Sequence, residues 1–173
     1  MNRRQMLKGT SILPAAGLLS LASATEAAAV STNAFSVTTV RNLARQLAQQ
    51  PFKAPDSSLP PELENLDYQT YRAIRFDPGQ ALWHDLKLKF TAEFFSRGFL
   101  YKDRVDLYEV VNGHATQIPY RPQLFSSKVK LPLKDVGFAG FRLHYPLNRP
   151  DRYDEICAFL GASYFRAVAK GQG

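Results

Sequence analysis

Three stretches of the chain predict a mainly β fold. LKLKFTAEFF, residues 86–95, alternates apolar and polar side chains with period two, which sets Leu86, Leu88, Phe90, Ala92 and Phe94 on one face. RVDLYEVVNGHATQIPY, residues 104–120, has the pattern of a hairpin, with Asn112-Gly113 supplying the positive backbone angles of a tight turn. FRLHYPL, residues 141–147, alternates again, with Phe141, Leu143, Tyr145 and Leu147 on one side and Arg142 and His144 on the other.

The first 29 residues stand apart. NRRQMLK is followed by GTSILPAAGLLSLASA, an uncharged run that Gly9, Pro14 and Gly17 weaken and that is too short and too mild to span a membrane. Small residues up to Ala24 or Ala29 suit signal peptidase. The pair Arg3-Arg4 ahead of this run marks a signal peptide of the twin-arginine (Tat) type, with Asn2 and Met6 as departures from the usual pattern. The expectation is a Tat signal over 1–29 and a mature chain from about Val30 in a bacterial periplasm, with the Tat export machinery as a partner and no lasting membrane insertion after cleavage. Arg3, Arg4, Lys8 and Glu26 carry two of the seven net positive charges. The other cations are scattered and form no dense basic block, so nucleic acid is not an expected partner.

In the mature part, Ser36 caps a short helix in which Val37, Val40, Leu43, Ala44 and Leu47 recur at helical spacing, and Pro51 ends it. The prolines between Pro51 and Pro61 forbid regular structure and predict an extended strap, with Phe52 and Leu59 buried against a surface. Ile74 and Phe76 read as a short strand. Pro146 predicts that the 141–147 strand ends there or runs at an edge. NRPDRYDEICAFL, within 148–160, reads as a short helix near 149–160, capped by Asn148 or Asp151, favoured at its start by Asp154 and Glu155 and stopped by Gly161. ASYFRAVA then starts a strand with no evident partner, which points to a larger all-β protein cut short.

A single cysteine, Cys157, excludes an internal disulfide and reads as a small packing residue. His84, His114 and His144 lie far apart, so neither a metal site nor a cofactor has support. Trp83 reads as a packing residue.

LDYQTYRAIRFDPGQALW, FFSRGFLYKDRV, GFAGFRLHYPLNRPDRYDEICAFLGASYFRA and the closing KGQG strongly resemble the N-terminal third of the periplasmic glucan biosynthesis proteins G and D, from about Phe35 onward. The Tat-like signal favours the D branch, since G members usually carry Sec signals. The resemblance implies that 30–173 is part of a large β-sandwich similar to galactose mutarotase, that the family continues past GQG into further strands, and that this chain is a fragment. It implies a role in osmoregulated periplasmic glucan biosynthesis, with β-1,2-linked glucan as partner. Relatives are similar to endo-acting β-1,2-glucanases whose acid lies downstream, so no catalytic residue is expected here. A non-enzymatic glucan-binding or scaffolding subunit stays open beside this.

Asp103, Asp106, Glu109, Asp135, Asp151, Asp154 and Glu155 have ordinary explanations as solvated strand positions or helix N-terminal charges. Sugar binding is the better use of what remains. Arg142 and His144 share one strand face, and Tyr164 and Arg166 share one side of the last stretch. Together they could offer stacking and hydrogen bonding to a glucan; the same pattern also suits an ordinary surface strand.

Overall fold

The computed structural model describes residues 32–172 apart from 129 and 162. Arg3, Arg4 and the rest of the expected signal lie outside the described residues. The chain is mainly β. Its elements are β1 (Thr32–Ala34), α1 (Val37–Ala48), α2 (Pro61–Glu64), α3 (Tyr68–Arg72), β2 (Arg75–Phe76), β3 (Thr91–Ser96), β4 (Tyr108–Val111), β5 (His114–Gln117), β6 (Phe125–Ser126), β7 (Phe138–Arg149), β8 (Arg152–Leu160) and β9 (Tyr164–Ala167). All pairing is antiparallel, in sheets ordered β1-β5-β4, β2-β6 and β3-β7-β8-β9.

The hairpin forms where its turn signal lies. β4 and β5 flank Asn112 and Gly113, whose φ angles of 50° and 77° fit a turn that requires positive values at both centres. The Ser36 start holds too, its amide donating to Thr39 Oγ1 at 3.0 Å. α1 buries none of its side chains, however, and Val37, Val40, Leu43 and Leu47 stand exposed.

The run 86–95 is a strand only in its second half. Trp83 and Lys87 take φ angles of 69° and 50°, and the chain doubles back so that Leu82 and Ala92 bridge. Ala92 and Phe94 are buried as the alternation predicts, while Leu86, Leu88 and Phe90 lie in or beside the loop and are exposed. Trp83 packs against the core and donates its Nε1–H to Glu109 at 2.6 Å.

The largest departure is the stretch 149–160, a strand instead of a helix. Arg149 pairs with Arg152 across a turn at Pro150-Asp151, and β8 then runs back along β7. The acids that suited a helix start have cross-strand partners instead, and Tyr153, Ile156 and Phe159 are residues that favour a pleated surface. β7 passes through Pro146 in the interior of the sheet. This is tolerated because β3 pairs only as far as His144, and the ladder to β8 is irregular between Tyr145 and Arg149, so no regular bond is lost. Gly140 is needed where the two strands close up, since a Cβ there would collide with the Phe159 carbonyl oxygen. The last strand does have a partner: β9 pairs with β8 from Leu160↔Tyr164 to Cys157↔Ala167.

Directly opposed residues share a face, so Phe94, Phe141, Phe159 and Phe165 form one row across the four strands. At the β3 end this row meets the small β2-β6 sheet. Phe76 sits edge-on to Phe94 and to Phe125, at 5.5 Å in each case, and Phe138 closes the cluster. At the β9 end the stacking continues through Phe159 and Phe165 at 4.9 Å, but Phe165 is 62% exposed. The core is thus one corner of a two-layered packing.

The strap between Pro51 and Pro60 has no regular secondary structure, as its prolines predict, and Phe52 does not anchor it, being 90% exposed. Arg97 does. This arginine is 4% exposed and donates to four main-chain carbonyls: Lys102 at 2.6 Å, Val136 at 3.0 Å, and Asp56 and Ser58 of the strap at 3.1 Å each. A buried guanidinium is stable only when its fork is filled, and here the chain itself fills it. Replacing Arg97 by Met is therefore expected to lower stability by about 3 kcal/mol, because acceptors lose their donor in a buried place. Urea unfolding measures this; a loss below about 1 kcal/mol would show that the strap is held by other contacts.

Candidate functional site

The face of the four-stranded sheet opposite the phenylalanine row is charged. Register places Glu93, Arg142, Ala158 and Arg166 side by side across β3, β7, β8 and β9. Glu155 joins them through an irregularity. Leu143 pairs with Cys157, yet His144 pairs with Glu155, so Ile156 is the extra residue of a bulge. A regular ladder would have put Ile156 opposite His144 and turned Glu155 to the apolar side.

The result is an alternating row of carboxylates and guanidinium groups. Arg142 donates to Glu93 Oε2 from Nε at 3.0 Å and from Nη2 at 2.5 Å, and to Glu155 Oε2 from Nη1 at 3.3 Å. Arg166 donates to Glu155 from the other side. The Arg142 guanidinium also lies over the Phe95 ring, 5.4 Å from its centre. The two carboxylates are the less exposed members, Glu93 at 8% and Glu155 at 19%, against 26% for Arg142 and 55% for Arg166.

Three of the four residues expected to touch a ligand share one cleft. Arg142, Tyr164 and Arg166, with Glu155, line a cavity of about 660 Å³ that Tyr71 and Tyr101 close at the side. Tyr71 is fixed by donating its hydroxyl to the Ser96 carbonyl at 3.1 Å, and its ring lies 5.7 Å from that of Tyr101. His144 opens instead into a neighbouring cavity of about 760 Å³, together with Glu93, Thr91, His84 and Tyr153. Both side chains are less exposed than an ordinary surface strand would leave them, 26% for Arg142 and 13% for His144.

Glu93 and Glu155 escape the sequence reading. Glu93 has a parity signal, since in TAEFFS it falls opposite to buried Ala92 and Phe94. Glu155 is hidden by the bulge. Tyr71 and Tyr101 come from segments with no periodicity. Among the other carboxylates, Asp106 pairs with Arg104 at 2.8 Å, Asp151 with Arg149 at 2.6 Å and Asp154 with Arg152 at 3.3 Å. Among the described residues no His, Cys, Asp and Glu cluster could hold a metal ion.

The family described as "Periplasmic glucan biosynthesis protein, MdoG" matches residues 35–173. Glucans biosynthesis protein G of Bradyrhizobium diazoefficiens is 52% identical over 175 residues, which cover 99% of this chain and 34% of the relative. The protein of the same name from Ralstonia nicotianae is 47% identical over 162 residues, covering 91% of this chain and 31% of the relative. That of Vibrio cholerae is 42% identical over 144 residues, covering 81% and 26%. The chain thus spans about a third of the length of the curated relatives it matches. These relatives are named G, so the preference for the D branch finds no support.

His144 Nδ1 is buried without a hydrogen-bond partner among the described residues, 3.7 Å from Glu93 Oε1. Burial holds the imidazole below its ordinary value of 6.5; Glu93 pulls it up and Arg142 pushes it further down. The unfolded chain binds this proton more readily than the folded one. The stability from neutral His144 is therefore complete above about pH 6.5 and is lost as pH falls through the lower folded value. His144→Gln is expected to flatten the slope of melting temperature between pH 7 and 5; an unchanged slope would assign the acid sensitivity to other groups.

Proposed function

Because the chain belongs to the family of periplasmic glucan biosynthesis proteins, we propose that the charged face of its four-stranded sheet is where the protein holds the β-1,2-linked backbone of a periplasmic glucan. The observation that carries the reading is the cleft of Arg142, Glu155, Arg166 and Tyr164. It places an acceptor between two donors, next to an aromatic ring that is 43% exposed. Vicinal hydroxyls of a glucose ring engage planar charged groups, and the C–H face of the same ring stacks on tyrosine. The roles are divided. Arg142 is spent on its carboxylates and shapes the wall, while Arg166 and Tyr164 reach solvent and meet the sugar.

Export through the twin-arginine route by Arg3 and Arg4 belongs to the same reading, with the mature protein in the periplasm. Among the described residues no helix is long and apolar enough to cross a membrane. The whole protein shapes the glucan backbone either by cutting it, as the resemblance to endo-β-1,2-glucanases implies, or by holding it for assembly. Glycoside cleavage needs a proton donor and a second carboxylate facing the bond. On this face Glu93 and Glu155 both accept from arginines, an arrangement that supports holding by this part of the molecule and leaves any cutting to an acid elsewhere.

In the full-length protein, Tyr164→Ala and Arg166→Ala are each expected to weaken binding of β-1,2-glucan by about five-fold, since stacking and exposed charged hydrogen bonds are worth about 1 kcal/mol, with the melting temperature unchanged in Tyr164→Ala and slightly lowered in Arg166→Ala, which loses its pair with Glu155. Calorimetric titration reads this. Unchanged affinity in both variants would overturn the placement of the glucan on this face.

A further inference from the structure

The charged face continues past His144 toward the tip of the β7–β8 hairpin, where the chain builds a second concavity of different character. The tip, the loop before β3 and the segment after β9 enclose a cavity of about 490 Å³. Lys87, Lys89, Arg149 and Lys170 line it, and among the described residues no carboxylate does. Arg149 is bound to Asp151, but Lys87, Lys89 and Lys170 make no ion pair among the described residues. Three ammonium groups around one hollow raise the local positive potential and draw an anion.

The lysine-bearing segments are fastened to the hairpin. Tyr153 donates its hydroxyl to the Leu88 carbonyl at 3.0 Å, and the Gly171 amide donates to Asn148 Oδ1 at 3.2 Å. Tyr153 and Lys87 also line the cavity into which Glu93 and His144 open, so the two hollows share a wall. A ligand lying along the charged face would meet neutral and paired groups first and free cations at its end.

We propose that this end cavity receives an anionic substituent, a phosphate or carboxylate ester, carried by the glucan on the charged face. The proposal rests on the glucan reading of that face. Ammonium groups act as compact point charges and suit either oxyanion without demanding one bidentate geometry. The uncharged residues of the wall, Leu88, Pro146 and Leu147 among them, suit the sugar that bears it.

The test compares two probes by calorimetric titration of the full-length protein: an unsubstituted β-1,2-glucan oligosaccharide and the same oligosaccharide succinylated. The variant is Lys89→Gln with Lys170→Gln. Both side chains are exposed, whereas Lys87 sits at a φ of 50° in its turn and is left alone. At low salt the succinylated glucan is expected to bind about ten-fold more tightly than the unsubstituted one. The double variant should lose that advantage and keep its affinity for the unsubstituted glucan, with an unchanged melting temperature. Equal affinity for the two probes overturns the anion cavity and leaves the glucan site standing. Failure of both to bind overturns the glucan reading itself. Lysine-dependent binding to phosphatidylglycerol vesicles, with no preference between the two glucans, assigns the cations to a lipid surface and overturns the proposal.

Discussion

Arg142 stands between two carboxylates on the inside of a sheet, and the arrangement around it is consistent only as a set. Glu93 is nearly buried and is tolerable there because a guanidinium fork reaches it from the adjacent strand. That fork can also reach Glu155 only because Ile156 bulges out of the β7–β8 ladder. Glu155 in turn fixes Arg166 on β9. One ion-pair row therefore ties all four strands together on this face. It also makes that face polar enough to take a hydroxyl-rich ligand.

The opposite face works by another rule. Phe94, Phe141, Phe159 and Phe165 form a continuous aromatic row, but only its β3 end is covered, by Phe76, Phe125 and Phe138. Arg97 fills the space between the strap, the 102 carbonyl and the 136 carbonyl, and so secures the corner where that covering layer begins. The two arginines do opposite jobs with the same chemistry. Arg97 satisfies main-chain acceptors and closes the core; Arg142 satisfies side-chain acceptors and shapes a surface.

Much of this was legible in the chain. Alternation found β7 and the buried half of β3, Asn112-Gly113 found its hairpin, and parity set Arg142 beside His144 and Tyr164 beside Arg166; that the two arginines share one cleft depends on β8, which reads locally as a helix. What escaped has physical causes. The Asp and Glu residues of 151–155 favour a helix start locally, and a cross-strand partner that no local pattern reveals decided otherwise. The positive φ angles of Trp83 and Lys87 curl a run that reads as strand, because alternation carries no record of backbone sign. Phe52 is exposed because the strap is held through its carbonyls, which every residue has and no sequence displays. The bulge at Ile156 shifted Glu155 to the working face, and a one-residue slip of this kind inverts any reading by parity.

The charged face depends on the coupling between Glu93 and Arg142, and a double-mutant cycle measures it directly. Glu93→Gln, Arg142→Met and the double variant are compared by urea unfolding. Arg142→Met should cost about 3 kcal/mol by leaving the buried Glu93 carboxylate unpaired, Glu93→Gln should cost less because Arg142 keeps Glu155, and the double variant should cost clearly less than their sum, with a coupling of about 1 kcal/mol. Additive losses would contradict the account: the row would then be a bystander, and the order of the charged face would have to come from the strand ladder alone.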